Sequence, residues 1–466
     1  MAFNLTTLSE YAKVQGGFAY KSKDFIEYSE NRVLKIKNVR FGTVSYEEPA
    51  YISDEIAQST EAWATKEGDI LISMTGSGPN APQSLVGRVA RVWANEPQSY
   101  INQRVGRIQL LEEGKVHPDF LFYLLSLPQS QDFLVSNSSG SANQANISGK
   151  IIGLLPCPEV TYEESESIAN MVRSLDEKII LNRQTNQTLE QMAQVLFKSW
   201  FVDFDPVIDN ALAAGNDIPD ALKHKAEQRK QAQQLPDFKP LPDDIRALFP
   251  SEFEQTDDPS IGIAGWIPKG WKKDKLKSFG KVVTGKTPPK KVENAFDSEG
   301  TPFITPTDVD SDVYALNVAR RLTEDGVKVV KNNVIEKGSV CVTCIGSQMG
   351  KTVITPTKAV TNQQLNSIIL SDEFSRNYIF MNLRTRREEL FNLGSSGSTM
   401  PILNKSSFES LSVIRPTDDI LKSFSKLTEN QIEKILVNSK QNKQLENIRD
   451  SLLPKLISGE VPLKSE

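Results

Sequence analysis

The chain has 466 residues, 38% of them apolar, with 54 Lys and Arg against 59 Asp and Glu for a net charge of −5. That length suits about three domains, or two with long connectors, and no apolar run approaches the ~18 residues that a bilayer-spanning helix needs. Three cysteines exclude a disulfide scaffold and fit a reducing, cytoplasmic setting, while MAFNLTTLSEYAKVQGG lacks the basic-then-apolar order of a secretory signal.

Residues 1–160 read as a mixed α/β domain. Apolar strands are expected in GDILISM and LVGRVARV, then a helix in PDFLFYLLSL, a Ser/Gly loop at SSGSANQANI and a final strand ending at Pro158. Residues 161–202 follow as one long helix. Ile168, Val172, Leu175, Ile179, Asn182, Asn186, Leu189, Ala193, Leu196 and Trp200 step alternately by 4 and 3, the period of a coiled-coil seam. Residues 203–259 form a connector with 13 acids, 6 bases and seven prolines. A short helix is expected in ALKHKAEQRKQAQQL, and the remainder reads as an ordered wrap or a loose linker. Residues 260–417 repeat the α/β pattern, with a helix in RNYIFMNLR, and 418–466 repeat the long helix.

The repeat is strongest in the helices. At a fixed offset of 256, Lys178, Ile179, Asn182, Asn186, Leu189 and Leu196 match Lys434, Ile435, Asn438, Asn442, Leu445 and Leu452. The second seam runs on through Phe424, Thr428, Gln431, Arg449 and Leu456. The preceding segments correspond more loosely: GDILISMTGS with GSVCVTCIGS, INQRVGRIQL with TNQQLNSIIL, and SSGSANQANI with SSGSTMPIL. An apolar seam of about 39 residues needs a partner helix, and each copy offers one to the other. A compact domain commonly keeps its termini close together, so a domain joining the two helices favours an antiparallel pair. The register centred on Gln184 and Lys440 sets Asn182 on Asn442, Asn186 on Asn438, and Trp200 on Phe424. The fold class is therefore α+β: two mixed α/β domains separated by two long antiparallel coiled-coil helices, with approximate two-fold symmetry.

Charge is uneven. Residues 260–416 carry 22 bases and 15 acids, a net of +7, whereas residues 1–158 carry 14 and 16, a net of −2. A basic domain suits phosphate binding, and Arg, Asn and Gln can read base edges by paired hydrogen bonds. Candidates for DNA contact in the first domain are Tyr20, Lys21, Lys23, Ser77, Arg88, Gln103, Arg104, Asn143 and Gln144. In the second they are Lys286, Thr287, Lys290, Lys291, Gln348, Lys351, Gln363 and Gln364. Asn102 and Asn362 occupy matched positions and suit structural turns instead.

Four catalytic signals fail on their context. GKVVTGKT (280–287) fits the phosphate-loop pattern, but the charged KKDKLKSF precedes it and Pro288-Pro289 follows, where a buried strand and a helix are needed. Cys341 and Cys344 lack the second ligand pair of a zinc site and fall where the first repeat has apolar strand residues. Neither His117 nor His224 has the neighbourhood of a catalytic base. There is no Asn-Pro-Pro-aromatic motif for amino-methyl transfer, and Asp176-Glu177-Lys178 lies on the coiled-coil helix rather than in a nuclease cluster. No metal site and no catalytic residue are expected.

LFKSWFVDFDPV (196–207), RDSLLPKLISGEV (449–461), GWIPKGWKKDKL with TGKTPP (265–289) and GGFAYKSKDF (16–25) together resemble the specificity (S) subunits of type I restriction–modification systems, over nearly the whole chain. The resemblance implies that each α/β domain reads half of a split double-stranded DNA site. It implies that the helices set the gap and dock two modification (M) subunits, which carry S-adenosylmethionine. Restriction (R) subunits would then add ATP- and Mg-dependent chemistry. A phosphate-loop NTPase with a coiled coil, and a coiled-coil adaptor that binds no DNA, are the competing readings.

Overall fold

The computed structural model describes residues 3–76, 86–141, 144–310, 312–395 and 401–461. Its contacts divide into two compact units, Met1–Ile180 with Lys443–Glu466, and Leu181–Asn442.

Two larger sheets dominate the first unit. Ala12–Gly16, Val105–Leu110, Ile70–Ser73 and Val89–Arg91 pair antiparallel in that order, and Gly42–Thr43 adds a parallel edge. Ile70–Ser73 is buried throughout, as its unbroken apolar run requires of an inner strand. The second sheet runs Ser99–Ile101, Arg32–Leu34, Ala50–Ile52, Phe25–Ile26, its first pair being parallel. The helix Pro118–Ser126 opens with proline at its first turn, and His117 Nδ1 accepts the Asp119 amide at 3.2 Å. That histidine is a helix cap, and burial holds its pKa below the usual value.

The second unit repeats this plan. Gly280–Thr284, Leu365–Leu370, Val340–Thr343 and Thr352–Ile354 follow the same antiparallel order. Thr301–Ile304 and Ala359–Thr361 form the matching parallel pair. Helix Arg376–Thr385 stands for Pro118–Ser126. Ser53 and Thr323 cap the equivalent short helices Asp54–Ser59 and Glu324–Val329 with their hydroxyls, at 3.4 and 3.0 Å.

Each long helix has 40 residues, Tyr162–Phe201 and Asp418–Ile457. Their pairing is antiparallel in both units. In the first, Arg449 Nη1 reaches Asp176 Oδ1 at 2.7 Å, and Ile168, Val172, Leu453, Leu456 and Ile457 join the apolar cluster beneath Pro118–Ser126. In the second, Asn182 Nδ2 donates to Asn442 Oδ1 at 2.8 Å and Asn438 Nδ2 to Asn186 Oδ1 at 2.9 Å. Trp200 and Phe424 lie 5.9 Å apart. A parallel pairing would have set Asn182 against Asn438. The asparagines cost apolar contact but lock the register, because a slip strands their amides without partners.

One sequence expectation changes, and one open choice is decided. The Ser/Gly stretch after residue 138 is not only loop: Ser139–Ser141 and Gln144–Asn146 are strands that extend Thr75–Gly76 into a three-stranded sheet. Cross-strand pairing outweighs the weak β-propensity of Ser, Gly and Asn here. The connector is an ordered wrap rather than a loose linker. Beyond the expected helix, Lys223–Gln233, it has an unforeseen one, Asp205–Ala214, and Phe204, Val207, Ile208, Leu222 and Phe249 are buried with Trp200 and Phe201. Arg229 spans the two helices to Asp209 at 2.5 Å, so part of the acidic excess is neutralised within the wrap itself.

Candidate nucleic-acid interface

In each α/β domain one loop cluster gathers most of the candidate readers, and the same device builds both. The strand Ala12–Gly16 runs into Gly17, whose amide donates to the Val105 carbonyl at 2.9 Å, while Phe18 N donates to Ile101 O at 2.9 Å. A Cβ on Gly17 would stand 2.1 Å from Asn102 O. In the second domain Gly285 N donates to Leu365 O at 3.1 Å, Lys286 N to Thr361 O at 2.8 Å, and a Cβ on Gly285 would stand 2.0 Å from Asn362 O. Only glycine permits so close a backbone crossing. It brings the loop after the first strand against the turn that carries Gln103 and Arg104, or Gln363 and Gln364.

Asn102 and Asn362 close these turns: their carbonyls accept from Val105 N at 2.7 Å and Leu365 N at 3.2 Å, and Asn362 Oδ1 accepts from Gln364 N at 3.0 Å. A donor from the neighbouring 3-10 turn pins each strand end, Trp63 Nε1 to Gly16 O and Asn333 Nδ2 to Thr284 O, both at 2.9 Å. The sequence reading missed Trp63 and Asn333. Their only signal was a shared place after a capped short helix.

Lys21, Lys23, Gln103 and Arg104 are exposed on the first cluster. Tyr20 is half-buried, its hydroxyl 2.9 Å from Thr60 Oγ1 and its ring 4.9 Å from Phe18. The Arg104 carbonyl accepts from Met74 N and the Met74 carbonyl from Ile147 N, both at 2.9 Å, which brings the strand containing Gln144 alongside. Ser77 and Asn143 lie outside the described residues, and so does the side chain of Gln144. Arg88 stands apart from the loops. It is buried, and Nη2 donates to Ile36 O at 2.9 Å, so its guanidinium is committed to the chain itself.

In the second cluster Lys286, Thr287, Lys290, Lys291, Gln348 and Gln363 are exposed, and Gln364 and Lys351 half-buried. Thr287 Oγ1 donates to Gln363 Oε1 at 2.7 Å, tying the two loops. The Gln364 carbonyl accepts from Cys344 N at 2.8 Å and Thr343 Oγ1 donates to Gln348 O at 2.5 Å, placing Gln348 and Lys351 on the next turn. Lys286, Lys351 and the amide side chains of Gln348, Gln363 and Gln364 thus lie on adjoining turns, residue types able to meet phosphates and base edges.

The competing chemistry finds no support in this geometry. Gly280–Thr284 is an antiparallel edge strand, and residues 285–290, including Pro288 and Pro289, have no helical conformation, so the lysine-bearing loop cannot aim helix-end amides at a phosphate. Cys341 and Cys344 are buried, their thiols pushed up to about 12 and about 11 by loss of solvent. Neither is poised as a thiolate nucleophile or ligand. Among the described residues no group of three or more His, Cys, Asp or Glu could hold a metal ion, and no helix is long and apolar enough to cross a membrane.

Exposed apolar positions on the long helices were missed. Met171, Leu181 and Met192 on the first long helix are 45, 55 and 53% exposed, and their repeat equivalents Leu427, Val437 and Ile448 are 40, 58 and 50% exposed. All six stand at the heptad positions flanking one side of the seam, with Val195 and Val202 beside them. The signal was present: apolar residues conserved between the repeats at an offset of 256, yet outside the seam.

Residues 3–191 and 268–447 each match the family model for the type I restriction modification DNA specificity domain. The chain is 33% identical over 415 residues to the type I restriction enzyme HindI specificity subunit of Haemophilus influenzae, covering 85% of this chain and 87% of that one. It is 26% identical over 414 residues to the MjaIX specificity subunit of Methanocaldococcus jannaschii, covering 88% and 83%. The crystal structure of a type I restriction-modification S subunit from M. genitalium superposes with a TM-score of 0.56 at 12% identity, over 99% of this chain and 97% of that one, which shows the fold. With two copies of the specificity domain joined to a paired long helix, this chain belongs to the family of type I restriction–modification specificity subunits, the non-catalytic members of their complexes.

Proposed function

We propose that this chain selects a two-part double-stranded DNA site in the cytoplasm, one part for each loop cluster, and carries two modification subunits on its long helices. The observation that carries this reading is the duplicated loop cluster, one glycine crossing and one polar turn in each domain. Tyr20, Lys21, Lys23, Gln103, Arg104 and the strand of Gln144 would serve one half-site. Lys286, Thr287, Lys290, Lys291, Gln348, Lys351, Gln363 and Gln364 would serve the other. The second domain, at +7, supplies most of the phosphate attraction; the first, at −2, depends on its partners for affinity. S-adenosylmethionine belongs to the modification subunits, and ATP with Mg to restriction subunits that join later.

Footprinting with the modification subunits bound tests the reading. Two protected patches about one helical turn apart are expected, and a single continuous patch, or none, refutes it. Lys290→Gln with Lys291→Gln should weaken one patch and lower the salt dependence of binding by roughly two ion equivalents.

The flanking apolar stripe is where the modification subunits dock. Six half-exposed apolar side chains in two matched sets suit one partner present twice. Leu181→Glu or Val437→Glu should each leave one modification subunit bound, and the two together none, by native mass spectrometry. Retention of both partners by the double variant would dismiss the stripe.

A further inference from the structure

The two α/β domains are fastened to the long helices at equivalent places by opposite charges. In the first unit Arg173 of the helix donates through Nη1 to Asp119 Oδ2 at 3.1 Å. Asp119, at the start of the domain helix, is buried and is also held by Arg91 Nε at 2.6 Å. The repeat equivalent of Arg173 is Glu429, and Pro118-Asp119 aligns with Arg376-Asn377. In the second unit the signs are exchanged. Glu429 Oε1 accepts from Arg376 Nη2 at 2.5 Å, Glu429 Oε2 accepts from Asn377 Nδ2 at 3.3 Å, and the buried Thr428 Oγ1 accepts from the same Nδ2 at 2.9 Å.

We propose that Arg173–Asp119 and Glu429–Arg376 are charge-reversed keys that fix each α/β domain in one orientation on its own helix and exclude the other domain from that place. A domain of the first kind on the second helix would bring Asp119 against Glu429. The reverse exchange would bring Arg376 against Arg173. Either mismatch sets like charges together in a part-buried interface where the lost pair also leaves a carboxylate or guanidinium without its partner. An internal repeat makes such a guard necessary, because the apolar surfaces of two related domains and two related helices would otherwise be interchangeable. These charged residues are positioning residues: taking the domains as readers, as proposed above, the keys fix the angle at which each reader meets its half-site.

The test uses the full chain. Spin labels are attached at Lys358→Cys on the second domain and Lys440→Cys on the helix; both positions are exposed, and the native Cys157, Cys341 and Cys344 are buried. Glu429→Arg should broaden the distance distribution roughly twofold as one orientation gives way to several. Glu429→Gln, which removes the charge without adding repulsion, should broaden it less. The reciprocal pair Arg376→Glu with Glu429→Arg should restore the native width. In the assembled complex, Glu429→Arg should lower the preference for the native half-site spacing by roughly tenfold, and the reciprocal pair should recover it. An unchanged distribution in Glu429→Arg, or no recovery in the reciprocal pair, overturns the keys. Restored distances with no spacing preference in the native complex would leave the keys standing and remove the DNA reading instead.

Discussion

Duplicating one heptad in each long helix, Asn182–Thr188 and Asn438–Gln444, should shift the preferred gap between half-sites by about three base pairs, since seven residues add ~10 Å of helix and B-DNA rises ~3.4 Å per base pair. Seven is the number that keeps the seam in phase. The insertions are matched across the antiparallel pair, so Asn182 on Asn442 and Asn186 on Asn438 are each duplicated rather than broken. A heptad added to one helix alone would strand its asparagines and should lower stability instead. Methylome sequencing of cells carrying the assembled system reads the gap directly, and an unchanged gap in the doubly lengthened chain would end the view of the helices as a ruler.

Trp200→Ala should cost the second unit about 3–5 kcal/mol, in the range for a buried aromatic truncated to a methyl. The indole is 1% exposed and meets Phe249 at 4.9 Å and Phe424 at 5.9 Å, so one side chain joins the first helix, the wrap and the second helix. Phe204, in the left-handed region at φ 59°, turns the chain out of the long helix into that wrap. Hydrogen exchange should show the lost protection centred on residues 193–226 and 420–435, and the melting midpoint of that unit should fall by about 10 °C. Exchange that stays native in the wrap would show that the connector holds its place without the indole.

How much of this was legible before the structure depends on how local each signal is. The seam was legible because a 3.5-residue period is written in every heptad, and its asparagines fixed the register by leaving only one antiparallel alignment that pairs both sets of amides. The two α/β domains were legible from their matched strands, and Gly17 and Gly285 lay inside the motifs singled out. The pairing of Ser139–Ser141 with Gln144–Asn146 was not, because Ser, Gly and Asn favour strands only when another edge is there to accept them. The helix Asp205–Ala214 was hidden by Pro206, which in fact occupies its first turn, where a proline costs nothing.

The sequence by itself determined the order of domain, helix, domain, helix, the antiparallel pairing, the family, and the kinds of residue each loop offers, because periodicity, repeats and composition survive without coordinates. Tertiary structure alone decided which of those residues face outward. It turned Arg88 inward to Ile36, made His117 a helix cap, raised the cysteine thiols beyond use, and set Asp119 and Glu429 against opposite charges. Burial, partner and direction belong to contacts between segments distant in the chain, and no local pattern of residues encodes them.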